Sequence, residues 1–240
     1  MNDEVKRTEH KYYIPLKYVE DLKFCLGKVM LEDKNNKAAG GYKITSLYFD
    51  TLDDLDFKQK LDGIIYREKY RIRIYDSDKL FGKFEVKRKL NQVIEKISIE
   101  LSESDIQNII SGNYSILKKY PDLAYVAYRM KYKIYKPKTI VEYLRQAYYL
   151  PINNIRVTVD SNLSSYGFKN EFSNIQSLKS NKIQKLGYEI LEVKFNGSLP
   201  SSISEMLSAF PIRQSAISKY ALSRVDNNTE PMGDNPVIPF

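Results

Sequence analysis

From Tyr66 to Leu101 the chain alternates polar and apolar side chains almost without interruption, YREKYRIRIYDSDKLFGKFEVKRKLNQVIEKISIEL. A period of two predicts strands, because successive side chains leave a pleated backbone on opposite faces. Breaks at Asp76-Ser77-Asp78 and at Leu90-Asn91-Gln92 divide the stretch into three strand-like runs. In the first, Lys69, Arg71, Arg73 and Tyr75 share a face opposite Tyr70, Ile72 and Ile74. In the second, Lys83, Glu85, Lys87 and Lys89 stand opposite Phe84, Val86 and Arg88, and in the third Lys96, Ser98 and Glu100 stand opposite Ile97, Ile99 and Leu101. Taken alone, a charged strand face is usually the solvated side of a half-buried antiparallel sheet.

The pattern recurs along the chain. Val5 to Ile14 predicts a strand with Arg7, Glu9, Lys11 and Tyr13 on one face. Pro15 opens a helix to Met30 with Leu16, Val19, Leu22 and Leu26 at helical spacing. After the polar loop Asp33 to Gly41, Tyr42 to Phe49 predicts a strand and residues 52–63 a short helix stopped by Gly63. Ser102 starts a helix, and Tyr114 to Met130 reads as an irregular helical region interrupted by Pro121. Thr139 to Tyr149 returns to strand, with Val141, Tyr143, Arg145 and Ala147 against Ile140, Glu142, Leu144 and Gln146. Ile155 to Asp160 alternates Arg156, Thr158 and Asp160 with apolar residues; Tyr188 to Phe195 places Glu192 and Lys194 opposite Leu191, Val193 and Phe195. Ser201 to Phe210 and Arg213 to Val225 read as helices.

These elements predict an α+β fold with eight antiparallel strands, enough to close a small barrel around one ligand. If the apolar faces turn outward under the helices, the charged faces line the interior. Inward charges cost several kcal/mol each when unpaired, so such an interior must be wet or hold a polyanion. Hydrogen bonds to ionised partners contribute roughly 1.5–3 kcal/mol each, and a chain of phosphates supplies acceptors throughout.

Composition narrows the partners. The chain of 240 residues carries a net charge of +8, which points to nucleic acid, membrane surfaces or phosphate compounds. The excess is spread along strands and is not gathered in a tail. The single Cys25 excludes an intramolecular disulfide framework, agrees with a reducing compartment, and is expected to pack inside a helix. The charged N-terminus does not read as a signal peptide, and no apolar run approaches the ~20 residues of a membrane span. A cytoplasmic protein without an integral membrane segment is expected, with one domain over residues 1–226 and a polar, flexible tail over 227–240. His10 is the only histidine and reads as structural; there is no Ser-His-Asp set, zinc pattern or Gly-rich phosphate loop. Asp53, Asp54 and Asp56 are explained by complementarity to a helix dipole. Tyr12, Tyr48, Tyr143 and Tyr188 read as core or rim packing before they read as base contacts.

Eight segments in order, RTEHKYYI (7–14), SLYFDT (46–51), REKYRIRIY (67–75), FEVKRK (84–89), VEYLRQAY (141–148), IRVTVD (155–160), LEVKF (191–195) and ISKYALSR (217–224), resemble the catalytic domain of the vacuolar transporter chaperone (VTC) polyphosphate polymerases. That domain belongs to the triphosphate tunnel metalloenzymes, relatives of the CYTH hydrolases. The resemblance implies an eight-stranded tunnel with helices packed outside and a C-terminal plug helix. By motif it implies phosphate binding by Lys11, Arg71, Arg73, Lys87, Lys96, Arg145, Arg156 and, from the plug helix, Lys219. Glu192 is implied as the metal-binding carboxylate for Mn²⁺ or Mg²⁺, and Lys11, Arg71, Arg73 and Glu192 as the catalytic set. The implied reaction transfers the γ-phosphate of ATP to a polyphosphate chain, with the acceptor phosphate attacking in line and no protein nucleophile. One departure stands out: Arg7 occupies the place where hydrolytic relatives often carry the first Glu of Glu-x-Glu-x-Lys, which weakens a two-metal hydrolase. A triphosphatase acting on inorganic or nucleoside triphosphate and a non-catalytic polyphosphate or nucleotide binder are the alternatives. Nucleic acid is ranked last, because internal cations on opposed strands do not admit a duplex.

Overall fold

The computed structural model describes residues 7–36, 40–74, 81–91, 93–168, 181–183 and 187–227. Tyr75 and all of the tail expected beyond Asn227 lie outside the described residues. The expected strands form: β1 (Arg7–Pro15), β3 (Tyr42–Asp50), β4 (Tyr66–Ile74), β5 (Gly82–Leu90), β6 (Val93–Leu101), β7 (Lys136–Leu150), β8 (Ile155–Gly167) and β10 (Tyr188–Asn196). Three two-residue strands join them: β2 (Leu31–Glu32), β9 (Asn181–Lys182) and β11 (Arg213–Gln214). The chain divides into two compact units. The first draws its described residues from Met1–Ile44, Glu142–Ser164 and Lys182–Ser218, the second from Thr45–Val141, Ser165–Asn181 and Lys219–Phe240.

In the first unit the strand order is β11-β1-β10-β8-β7, with β2 added on β7. The apolar faces of these strands, with Ile14, Val157, Val159, Leu191 and Val193, pack with Leu22 and Leu26 of α1 (Val19–Val29) and Ile203 and Leu207 of α5 (Ser201–Ser208). Burying each such side chain contributes roughly 1.5–3 kcal/mol. Cys25 of α1 is half-buried, where full burial was expected. The antiparallel register sets Glu9 opposite Lys194 and Lys11 opposite Glu192 on β1 and β10.

In the second unit the order is β3-β4-β5-β6. Leu47, Phe49, Tyr70, Ile72, Phe84 and Val86 pack with Ile106 and Ile109 of α3 (Glu103–Ile110) and Leu123, Val126 and Met130 of α4 (Pro121–Tyr132). Ser102 and Asp105 close a reciprocal capping box at the start of α3. Pro121 starts α4 and does not interrupt it: the first helical position needs no amide hydrogen and suits the fixed φ of proline. Two further elements of this unit are α2 (Leu55–Leu61) and α6 (Lys219–Asn227).

In both units helices cover the apolar strand faces, α1 and α5 in the first and α3 and α4 in the second; α6 instead meets the charged face of the second unit, with Tyr220 against Tyr48 and Lys69. Three sequence expectations change. The strand ladder ends on β11 and on β6, so hydrogen bonds among the described residues do not close the expected barrel. The edge of β1 that a closing strand would need is taken by β11, which pairs Arg213 with Tyr13 and Gln214 with Tyr12. For the same reason the helix expected from Arg213 starts only at Lys219. β8 runs on to Gly167 because Leu163 and Ser165 continue its buried odd-numbered series; a buried serine carries no hydrophobic signal in the sequence.

Candidate functional site

The second unit gathers its cations on one buried acid. Register places Arg71 directly opposite Glu85, and Arg71 holds Glu85 Oε2 through Nε and Nη2, each at 2.6 Å. Arg73 Nε lies 3.5 Å from the same oxygen, and Lys96 Nζ lies 2.5 Å from Oε1. Glu85 is only 2% exposed. Burial alone would raise its carboxyl, but Arg71, Arg73 and Lys96 outweigh it and hold the group down at about 2. The remaining guanidinium nitrogen of Arg71, Nη1, donates to the Tyr48 hydroxyl at 3.0 Å. Burial would raise the Tyr48 phenol too; Arg71, Arg73 and Lys219 together lower it. Tyr48 stacks on Tyr220 of α6 with centroids 5.2 Å apart, and the Lys69 ammonium lies 5.6 Å from the Tyr220 ring. Lys87 faces Lys69 across one ladder and Lys96 across the other. Arg71, Arg73 and Lys96 thus converge on Glu85, Lys219 acts on Tyr48 beside them, and Lys87 shares their strand face.

The first unit repeats the device. Arg145, 8% exposed, grips fully buried Asp160 bidentately, Nε to Oδ1 at 2.6 Å and Nη2 to Oδ2 at 2.7 Å. Its Nη2 is also 3.8 Å from Glu192. Burial would lower this guanidinium, but Asp160, Tyr143 and Glu192 raise it well above its ordinary value. Lys194 Nζ sits 2.6 Å from Glu192, and burial outweighs Glu192 and Glu9 to lower its ammonium. Lys11 bonds Glu9 at 3.1 Å and donates to the Ile217 carbonyl at 3.2 Å. Arg156 donates to Asp33 at 2.9 Å and to the Tyr42 hydroxyl at 3.2 Å. Lys11, Arg145 and Glu192 are therefore linked through carboxylates, and Arg156 is anchored on the loop after β2.

Sequence reasoning placed Glu85 and Asp160 on charged faces without seeing that they organise the arginines. Alternation shows that Arg71 and Glu85 each face the charged side; only strand register shows that they are opposite. Tyr48 and Asp33 were missed in the same way, because their roles come from residues distant in sequence. The acidic cluster also differs from expectation. Asp54 pairs with Lys138 at 2.9 Å and Arg224 at 2.7 Å. Asp56 is buried, and Asp50 serves the helix start, accepting the amides of Asp56 at 2.9 Å and Phe57 at 3.0 Å. His10 contacts Tyr12 and Phe195, a structural setting.

Among the described residues no three His, Cys, Asp or Glu side chains converge as a metal cage. Glu9 and Glu192, bonded to lysines, offer a divalent ion one or two carboxylates. That donor set suits a cation that takes its other ligands from bound phosphates. Chemically, arginines oriented by buried acids present fixed donors to an anion before it arrives, the arrangement that stabilises charge developing in phosphoryl transfer. Among the described residues no helix is long and apolar enough to cross a membrane.

The family model of the VTC domain matches residues 6–225. No curated protein matches the chain. Among solved structures, the chain is similar to the candidate adenylyl cyclase HpAC1 from Hippeastrum, with a TM-score of 0.53 and 16% identity over 90% of this chain and 94% of that one. It is also similar to a candidate adenylate cyclase from Bacillus halodurans, with a TM-score of 0.50 and 15% identity over 89% of this chain and 95% of that one.

Proposed function

Because the chain belongs to the VTC domain family, we propose that it is a phosphoryl-transfer enzyme that moves the γ-phosphate of ATP to a polyphosphate chain. The observation that carries this reading is the pair of arginine clusters held by acids on the charged strand faces. Arg71 and Arg73, oriented by Glu85, bind phosphate oxygens together with Lys96, Lys87 and Lys219. Arg145 and Arg156, oriented by Asp160 and Asp33, bind phosphate with Lys11. A guanidinium fixed by a carboxylate cannot swing to bulk water, so it meets an incoming anion in a set orientation. Glu192, with Glu9, would hold Mn²⁺ or Mg²⁺, which supplies charge neutralisation and alignment of the phosphates when bound. The acceptor phosphate itself is the nucleophile, so no side-chain base is required.

Incubation with ATP, Mn²⁺ and a short polyphosphate primer, resolved on a phosphate-polymer gel, tests the proposal. Chains that lengthen with time and release ADP are expected; no lengthening over the enzyme-free control overturns it. A second reading is hydrolysis of inorganic or nucleoside triphosphate. It draws on the nearness of Glu9 and Glu192 to one ammonium, Lys194, and on the dominant triphosphatase activity of HpAC1. Orthophosphate release without polymer selects this reading.

A further inference from the structure

A cleft of about 250 Å³ opens in the second unit, where the ends of β4 and β5 meet α4. Its floor is an acid that is already satisfied. Glu68, 8% exposed, accepts Arg88 Nε at 2.5 Å, lies 3.2 Å from Arg129 Nε, and accepts the Tyr70 hydroxyl. Glu95 takes a second nitrogen of Arg88 at 2.7 Å. Three more cations line the cleft: Arg67, Lys89 and Lys133. Arg67 donates to the Ile64 carbonyl, and none of the three forms an ion pair among the described residues. Arg67 and Lys89 are direct cross-strand partners. Like charges facing each other across a ladder are destabilising, and burial lowers the Arg67 guanidinium further. Such a pairing is relieved when an anion sits between the two charges. Tyr66 and Tyr125 stand exposed at the rim.

We propose that this cleft, at the Arg67–Lys89 end of the β4–β5 pair and beyond the cluster on Glu85, is a second anion-binding site that takes the di- or triphosphate group of a small ligand. Five cations against two committed carboxylates, Glu68 and Glu95, select a multiply charged anion, and the volume admits a short phosphate chain or the phosphates of a nucleotide. The proposal does not depend on which reaction is catalysed, but it rests on the reading above that Arg71 and Arg73 bind phosphate.

Titration calorimetry of the full chain tests it, with inorganic triphosphate and with ADP as separate probes. In an Arg71→Ala/Arg73→Ala background that also carries Lys11→Ala and Arg156→Ala, to remove the first-unit cluster, residual triphosphate binding is expected, and adding Lys89→Ala/Lys133→Ala weakens it at least tenfold. In the otherwise native chain, the Lys89→Ala/Lys133→Ala variant lowers the number of bound triphosphates. Lys118→Ala/Lys119→Ala removes the same charge from an exposed turn of the same unit and leaves binding unchanged. Tighter ADP than inorganic triphosphate identifies a nucleotide with its base on the tyrosines; equal or weaker ADP identifies the phosphates alone. The proposal is overturned if the Arg71→Ala/Arg73→Ala/Lys11→Ala/Arg156→Ala protein binds no triphosphate, if Lys89 and Lys133 make no difference, or if the Lys118/Lys119 control weakens binding equally.

Discussion

Replacing Glu85 by Gln isolates what a buried acid does for a cationic strand face. The side chain keeps its shape and loses its charge, leaving Arg71, Arg73 and Lys96 around a neutral amide. The wild-type carboxyl is held at about 2, against an ordinary value of 4.5, a difference that corresponds to ~3 kcal/mol. The folded-state value is depressed, so the unfolded chain binds more protons in acid. The contribution is present above pH 4.5 and is lost as pH falls through the folded value near 2. At pH 7, Glu85→Gln should lower the unfolding free energy by about 3 kcal/mol. Its acid limb should be flatter than that of the wild type between pH 4.5 and 2. Urea unfolding across that range, followed by circular dichroism, measures both. A second signature separates this account from simple loss of packing: inorganic triphosphate should raise the melting temperature of the variant more than that of the wild type, because the phosphate then supplies the countercharge the cations have lost. An unchanged acid slope, or a smaller ligand-induced shift in the variant, would refute the reasoning.

Arg73→Ala should lower triphosphate affinity and transfer by at least ~100-fold while leaving the protein folded, because Arg71 and Lys96 still hold Glu85 and one of the like-charged cations is removed; a calorimetric titration and a urea curve read the two effects. Asp160→Asn breaks a bidentate pair around buried Arg145 and should cost roughly 3 kcal/mol in urea unfolding at pH 7. Burial, then neighbouring Asp50, push the Asp56 carboxyl up to about 8. That group is protonated in the folded state and ionised in the unfolded one, so it withdraws stability as pH rises from about 4 to about 8. Asp56→Asn should remove this loss, making the urea midpoint less dependent on pH between 6 and 9 than in the wild type.

Much of this was legible because half-buried strands write their faces into the sequence. Arg71, Arg73, Arg145, Arg156 and Glu192 all lie on the strand faces that alternation assigned them, and α1, α3, α4 and α5 cover the opposite ones. What alternation cannot convey is which residues stand across from each other. That depends on turn length and backbone register, so Glu85 and Asp160 looked like ordinary members of a mixed face. Short elements escaped for a related reason. Two residues at Arg213–Gln214 have no period to detect, yet their pairing with β1 occupies its edge and delays α6 to Lys219. Asp50 and Asp56 escaped because a buried carboxylate is visible only through its partners: backbone amides, Tyr135 and Tyr220.

Asp50 is moored twice. One carboxylate takes the opening amides of α2 and, at 2.5 Å, the Tyr220 hydroxyl of α6. Tyr220 in turn stacks on Tyr48, whose hydroxyl accepts a hydrogen bond from Arg71. A displacement of α6 therefore cannot stay local: it drags an aromatic ring and, through it, the Arg71 donor. A spectroscopic label on exposed Val225 would act as a remote gauge of whether that donor is engaged, with no probe placed among the cations themselves.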